Sequence, residues 1–204
     1  MRVVILLNGE PHRGEICAEN SYVICCDGAY SWAKGRVHID ENLGDFDSLG
    51  ETPYPPPRAV FPAEKNETDG ELALGVALDM GATEIVLYGG GGLREDHFLG
   101  NLHLLYKAQQ RGVRSELVTN GARIFCAEGR VELNGLKGRT VSVTPFGGRA
   151  HIMESNGLKY PMNGLDLVYG ATRGISNVVA ENKAHFVSQG TVLVFINQEW
   201  GRNP

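Results

Sequence analysis

Asp45 and Asp47 stand two residues apart in the hexamer GDFDSL at 44–49. On an extended backbone alternate side chains project to one face, so both carboxylates can approach one hard cation, which takes oxygen ligands. The same hexamer suits a turn closed by Asx-type hydrogen bonds, and alone it does not choose between the two. Three more aspartates shift the balance. Asp27 follows a predicted strand in CDGAY, Asp69 opens one predicted helix and Asp96 opens another. Taken singly, Asp69 and Asp96 fit a helix start, where the cap and the dipole favour a carboxylate. Five aspartates at corresponding strand and helix ends are harder to place without a cation, because gathered like charges push one another's pKa upward. A divalent metal removes that penalty.

A second candidate is the turn YGGGGLREDH at 88–97, which joins a predicted strand to a predicted helix through four successive glycines. Glycine permits close backbone approach, and the free N–H groups at a helix start favour an anion such as phosphate. The turn lacks the GK[ST] ending of a Walker A loop and the GxGxxG order of dinucleotide folds. Arg94 offers a bidentate fork to phosphate oxygens, and Lys65 in EKNETD offers a point charge. Outside this context either would read as a solvated surface charge. The six histidines form no HxxxH or HExxH pattern, which argues against zinc, and His97 is set apart only by adjoining Asp96. Trp32, Trp200, Phe186 and Phe195 read as core or interface aromatics.

The elements that must hold these residues are legible from periodicity. Up to about residue 120, short β-branched runs alternate with helical patterns, the mark of an α/β domain with a mainly parallel sheet and flanking helices. Strands are predicted at 2–7, 22–26, 59–61, 84–88 and 116–119, with a short extended segment at 37–40. One helix is expected at 69–80, burying Leu72, Ala73, Val76, Ala77 and Met80, with a Thr68–Glu71 capping box and Gly81 at its end. Another is expected at 96–110, burying Leu99, Leu102, Leu105 and Tyr106 and ending at Gly112. Helical periodicity then vanishes. Strands predicted at 123–126, 140–145, 150–154, 185–187 and 192–196 imply a small all-β sandwich or barrel, so the domains are drawn as 1–121 and 122–204. The PYPPP stretch at 53–57 reads as a stiff connector within the first domain.

Composition narrows the function classes. The chain of 204 residues, 42% hydrophobic and 21% charged, has a globular make-up, and its 27 glycines call for many turns or close approaches. A net charge of −5 argues against a nucleic-acid partner, which needs a concentrated basic footprint. Cys17, Cys25, Cys26 and Cys126 have no CxxC spacing and are expected to be reduced. The apolar run at 3–7 is too short for a signal-peptide core, and no later run approaches a membrane span, so a cytoplasmic protein without membrane partners is expected.

GDFDSL, KNETDGELAL at 65–74, GLREDHFLGN at 92–101, GLKYPM at 157–162 and ISN at 175–177 occur in the order and spacing of one family. The chain resembles thiamine pyrophosphokinase over nearly its whole length. The resemblance implies a homodimer whose N-terminal domain binds Mg2+ and ATP, and whose C-terminal β-sandwich helps a neighbouring subunit enclose thiamine. It implies metal roles for Asp45, Asp47 and Asp69, and catalytic roles for these three with Arg94 and Asp96. It also implies nucleotide contacts from the region of Asp27, Lys65, Thr68, Arg94, His97 and Asn101, and a thiamine side that includes Ser176 and Asn177. The chain departs from the family pattern at Ala29, where a second glycine is usual, and at Glu64 and Asn66, where aspartates are usual.

The implied reaction carries the β,γ-diphosphate of ATP to the hydroxyl of thiamine and releases AMP. Two other readings fit an aspartate-rich phosphate site. A metal-dependent phosphohydrolase would use water as acceptor, and a nucleotide- or thiamine-sensing module would bind without turnover.

Overall fold

This computed structural model describes residues 1–44, 46, 49, 52–57 and 66–198, and the chain divides into two units, Met1–Asn120 and Gly121–Pro204. In the first, β1 (Arg2–Leu6), β2 (Ser21–Cys26), β3 (Glu41–Leu43), β4 (Glu84–Tyr88) and β5 (Arg114–Val118) lie in the order β5-β4-β1-β2-β3. Every pair is parallel. Val3, Val4, Ile5 and Leu6 are wholly buried, as a central strand covered on both faces demands. The chain steps outward from β1 to β2 and β3, then returns to the other side of β1 for β4 and β5. Its direction therefore reverses between β1 and β4, and the loops leaving those strands flank the crevice where such sheets bind ligands.

Three helices accompany the described strands of this unit: α1 (Tyr30–Ala33), entered through a 3-10 turn at Asp27–Ala29, α2 (Asp69–Asp79) and α3 (Glu95–Gln110). At the start of α2 the Thr68 hydroxyl accepts the Glu71 N–H at 3.2 Å, while the Glu71 carboxylate reaches Lys107 Nζ on α3 at 2.9 Å. The threonine arm of the box thus caps the helix, and the glutamate ties α2 to α3. Both helices end in a Schellman motif: Gly81 and Gly112 have φ of +76° and +72°, and Ala82 and Val113 donate back to Ala77 O and Ala108 O at 3.0 Å. Replacing Thr68 with Ala should cost about 1 kcal/mol, read as a lowered urea midpoint at unchanged slope, and Thr68→Ser should cost little.

The structure corrects several expectations. The segment at 37–40 is not the strand; β3 begins at Glu41, and the Asp40 carboxylate instead accepts the Val23 N–H at 2.8 Å. α2 buries Gly70, Ala73, Leu74 and Ala77, and Met80, counted on its inner face, is 39% exposed. α3 buries Leu102, Leu104, Leu105 and Ala108, with Leu99 exposed near the helix start, where the strands have already ended. The 3-10 turn and α1 were unforeseen because seven residues are too few to show a helical period. The PYPPP connector is pinned to its unit, since Tyr54 N–H donates to the Tyr30 hydroxyl at 3.1 Å and Asn42 Nδ2 to Pro55 O at 2.7 Å. The strand expected at 59–61 lies outside the described residues.

The second unit is built around one long strand. β6 (Ala122–Glu132) pairs along one side of β11 (His185–Asn197). On the other side β8 (Ala150–Asn156) pairs with its first half and β7 (Thr140–Pro145) with its second. β9 (Leu165–Leu167) flanks β8, and β10 (Asn177–Val178) flanks β7. All these pairings are antiparallel. The register shifts between Ser188 and Val192 around Gly190 at φ +87°, so β11 bends and serves both layers of a sandwich-like unit. Leu133, Val141, Val143, Ile152, Phe186 and Val194, drawn from both layers, are wholly buried in its core. The strands expected at 185–187 and 192–196 are thus one element, split in the sequence by a bulge, and β9 and β10 are too short to show alternation.

The four cysteines are free. Burial pushes the Cys25 thiol up to about 12, helped by the charge of Asp27, and burial does the same at Cys126, so neither is a thiolate near neutrality. Among the described residues no helix is long and apolar enough to cross a membrane.

Candidate active site

The loop after β1 and the glycine turn after β4 run backbone against backbone. Leu7 N–H donates to Tyr88 O at 2.8 Å and Glu10 N–H to Gly91 O at 2.7 Å. A Cβ on Gly9 would collide with Gly89 O, and one on Gly89, at φ +72°, would come within 2.6 Å of both Leu7 O and the Trp32 ring. On Gly90 it would meet Leu117 at 2.7 Å. Glycine in this turn was expected for the approach of a phosphate; the structure shows that it is already required by neighbours within the protein. Trp32 Nε1–H donates to Leu7 O at 3.3 Å, and Asn101, two turns into α3, donates Nδ2–H to Gly90 O at 2.8 Å. Asn101 therefore fixes the turn, and any contact it makes to nucleotide comes from an already engaged amide.

The turn delivers Arg94 as the N-cap of α3, with no side-chain cap bond. Its guanidinium grips Asp96 as a fork, Nε to Oδ1 at 3.1 Å and Nη2 to Oδ2 at 2.7 Å. Oδ1 also accepts the His97 N–H at 3.0 Å. The hydrogen bond from Arg94 holds the Asp96 carboxyl down to about 2, and Asp96 in turn raises Arg94. Both side chains and His97 are exposed, so the fork faces solvent at the mouth of the crevice and can exchange partners with an incoming anion.

The acidic residues gather at the same edge of the sheet. Asp27, the first residue after β2, has φ +40°, a left-handed conformation uncommon outside glycine and often met at functional sites. Gly44, just after β3, makes room for it: a Cβ there would lie 2.9 Å from Asp27 Cβ. Cys26 Sγ, one residue before Asp27, lies 3.7 Å from Asp69 O, so the end of β2 and the start of α2 adjoin. Phe46 and Leu49 pack against the core of this unit. Asp45, Asp47 and Lys65 lie outside the described residues. The donor set is made of carboxylates, hard oxygen ligands that fit Mg2+ and not a thiolate-loving metal. Among the described residues no three His, Cys, Asp or Glu side chains form a metal-binding group. The departure at Ala29 is accommodated, because its methyl group is wholly buried in the core.

In the second unit Ser176 is exposed at φ +60°, its N–H bonded to the Ser142 hydroxyl at 3.0 Å. Asn177 is buried, and its side chain clasps the backbone of Tyr160: Oδ1 accepts Tyr160 N–H at 3.1 Å, and Nδ2 donates to Tyr160 O at 2.7 Å. Oδ1 also accepts the Val178 N–H at 2.8 Å. Asn177 thus joins the ISN and GLKYPM motifs and presents Tyr160, which is 56% exposed. Its alanine variant should lose about 2 kcal/mol, because buried backbone groups lose their partners. Asn177→Asp should lose more, since a buried carboxylate would then face Tyr160 O, and thermal melts of both variants check the order.

Sequence reasoning did not single out Tyr160, Trp32 or His12 for the site. Tyr160 sits within a motif already quoted and was passed over because its exposure depends on the clasp from Asn177, seventeen residues away. Trp32 and His12 carry no local signal, because their contacts are to β1, β2 and β4 loops distant in sequence.

Comparison with known proteins agrees with this geometry. The family profile described as "Thiamin pyrophosphokinase, catalytic domain" matches residues 14–117, and "Thiamin pyrophosphokinase, vitamin B1 binding domain" matches 129–193. The chain is 34% identical over 165 residues to the thiamine pyrophosphokinase of Bacillus subtilis strain 168, covering 76% of this chain and 77% of that one. Among solved structures, a thiamine pyrophosphokinase from Bacillus subtilis superposes with a TM-score of 0.86 at 26% identity, covering 98% of this chain and all of that one, 100%. One from Geobacillus thermodenitrificans gives 0.84 at 25%, covering 98% and 99%.

Proposed function

The chain belongs to the thiamine pyrophosphokinase family, and on that premise we propose how its own residues carry the β,γ-diphosphate of ATP to the hydroxyl of thiamine. It is a thiamine diphosphokinase that uses ATP and binds thiamine. The observation that most supports the assignment of roles is the convergence of Asp27, Asp69 and the Arg94–Asp96 fork at the C-terminal edge of one parallel sheet.

Asp45, Asp47 and Asp69 would hold Mg2+, which when bound would supply neutralisation of the triphosphate and a template for in-line displacement. Lys65 and Arg94 take up charge on the phosphoryl oxygens, with Asp27, Thr68, His97 and Asn101 along the nucleotide. The hydroxyethyl oxygen of thiamine bonds to the β-phosphorus, the bond from that phosphorus to the α,β-bridging oxygen breaks, and AMP departs with that oxygen. Asp96 accepts the hydrogen of the attacking hydroxyl and aims it. A carboxylate is a weak base for an alcohol, so its contribution is chiefly orientation.

Ser176 and Asn177 belong to the thiamine side, Asn177 by holding the Tyr160 segment. The active form is a homodimer in which the C-terminal domain of one subunit helps enclose thiamine at its neighbour's site, and sedimentation equilibrium at assay concentration should return twice the chain mass. Four free cysteines suit a cytoplasmic enzyme. ATP labelled at the β-phosphorus tests the chemistry: the label should pass into thiamine diphosphate as AMP forms. Label retained in ADP would mean transfer of the γ-phosphoryl group alone and would overturn the proposal.

A further inference from the structure

Beside the glycine turn lies a cavity of about 10 Å3 whose lining includes Glu10, His12, Gly89, Gly91, Val118 and Asn120. His12 is only 6% exposed, and its Nδ1 is buried with no hydrogen-bonding partner among the described residues. A buried polar atom left unpaired costs on the order of 1–3 kcal/mol, and a polar cavity of this size holds one water. We infer that His12 is a positioning residue for the nucleotide-binding turn, acting through a single internal water that bridges Nδ1 to the backbone of the glycine turn.

The surroundings of the ring fix which nitrogen serves. Its Nε2 side faces the later part of its own loop, since a Cβ on Gly14 would lie 2.9 Å from Nε2, and the backbone of Glu15 is a hydrogen-bonding partner of the ring. Burial, aided by the nearby Arg36 charge and opposed by the Glu15 backbone, lowers the pKa of the ring. A neutral imidazole with its proton on Nε2 leaves Nδ1 a lone pair, so the water donates one hydrogen to Nδ1 and the other to a turn carbonyl. The ring cannot easily withdraw. It packs 4.9 Å from the Tyr88 ring, and the Arg36 guanidinium donates to His12 O at 2.5 Å and Gly14 O at 2.8 Å. Asn120 closes the far side, accepting Arg13 N–H at 2.9 Å and donating to Pro11 O at 3.1 Å. The β1–β2 loop is thereby a rigid wall, and the water transmits its position to the turn that ends in Arg94.

This inference rests on the proposed nucleotide role of the turn, and a crossed pair of variants separates it from simple packing. His12→Phe keeps the ring volume and loses the acceptor; His12→Asn keeps an acceptor near the Nδ1 position and loses ring volume. The positioning role predicts that KM for ATP, and Kd for ATP by calorimetry, rise about tenfold in H12F with kcat nearly unchanged. In H12N they should stay within about twofold although its melting temperature falls further. A KM that follows stability, worse in H12N than in H12F, would overturn the role. A crystal structure of the wild-type protein should show a water within hydrogen-bonding distance of Nδ1, missing in H12F, and an empty cavity there would equally sink it. Failure of the family chemistry would appear differently, as absent thiamine diphosphate in the wild-type protein, while calorimetry with ATP still reads the effect of His12.

Discussion

Asp47→Asn should lower diphosphate transfer by about a thousandfold or more, the scale on which removal of one electrostatic stabiliser is felt at an active site. The amide keeps the size of the side chain and removes only its charge, so the fold has no reason to fail. Without magnesium the variant should melt at or above the wild-type temperature if Asp47 shares the proposed metal site, because one like charge then leaves it. Added magnesium should stabilise the wild type more than the variant, by the mass-action shift that any native-state ligand produces. Product analysis at saturating ATP and thiamine, with melts at several magnesium concentrations, checks both parts. A variant with near-normal turnover would remove Asp47 from the metal site.

Asp96→Asn should separate two quantities that usually fall together. Arg94 is held by the Asp96 carboxylate through both of its nearer nitrogens, so a triphosphate must displace that carboxylate before it can use the fork. With the charge gone, ATP should bind severalfold more tightly, since the competition is between two exposed anions for one cation. Turnover should nevertheless fall on the order of a hundredfold, because the thiamine hydroxyl loses the group proposed to accept its hydrogen. Weaker ATP binding with unchanged kcat would contradict the exchange. The same pair fixes a pH expectation. The folded pKa of Asp96, about 2, is depressed below its unfolded value near ~3.9. Whatever the ionised pair contributes is therefore present above that unfolded value and lost as pH falls through about 2. Between about pH 5 and 8, well above both values, kcat/KM should show no inflection from Asp96. When Arg94 turns to phosphate the carboxyl returns toward its ordinary range, still below that window.

The first unit was legible because its signals are local. β-branched runs gave β1, β2 and β4, and a threonine cap with two terminal glycines marked α2 and α3. The faces of those helices were less legible: Leu99 fits the helical period as well as Leu102 does, and only the position of the sheet edge leaves one exposed and the other buried. β11 was read as two strands because a bulge around Gly190 interrupts alternation without ending the strand. At the site, Arg94 and Asp96 could be named from their motif, but not that they grip each other. The four glycines were read as room for a phosphate, whereas the reason Gly89 and Gly90 are glycine lies in Leu7, Trp32 and Leu117, far away along the chain. His12 shows the same limit, since nothing beside it in sequence says that its Nδ1 has no hydrogen-bonding partner among the described residues.

The most direct test of the account is a coupled measurement of AMP and thiamine diphosphate with purified protein, ATP, Mg2+ and thiamine, each omitted in turn. The account predicts equal amounts of the two products, formed only when all three are present. AMP or phosphate released from ATP without thiamine would point to a phosphohydrolase, and thiamine bound with ATP left intact would point to a sensor; either result would contradict diphosphate transfer.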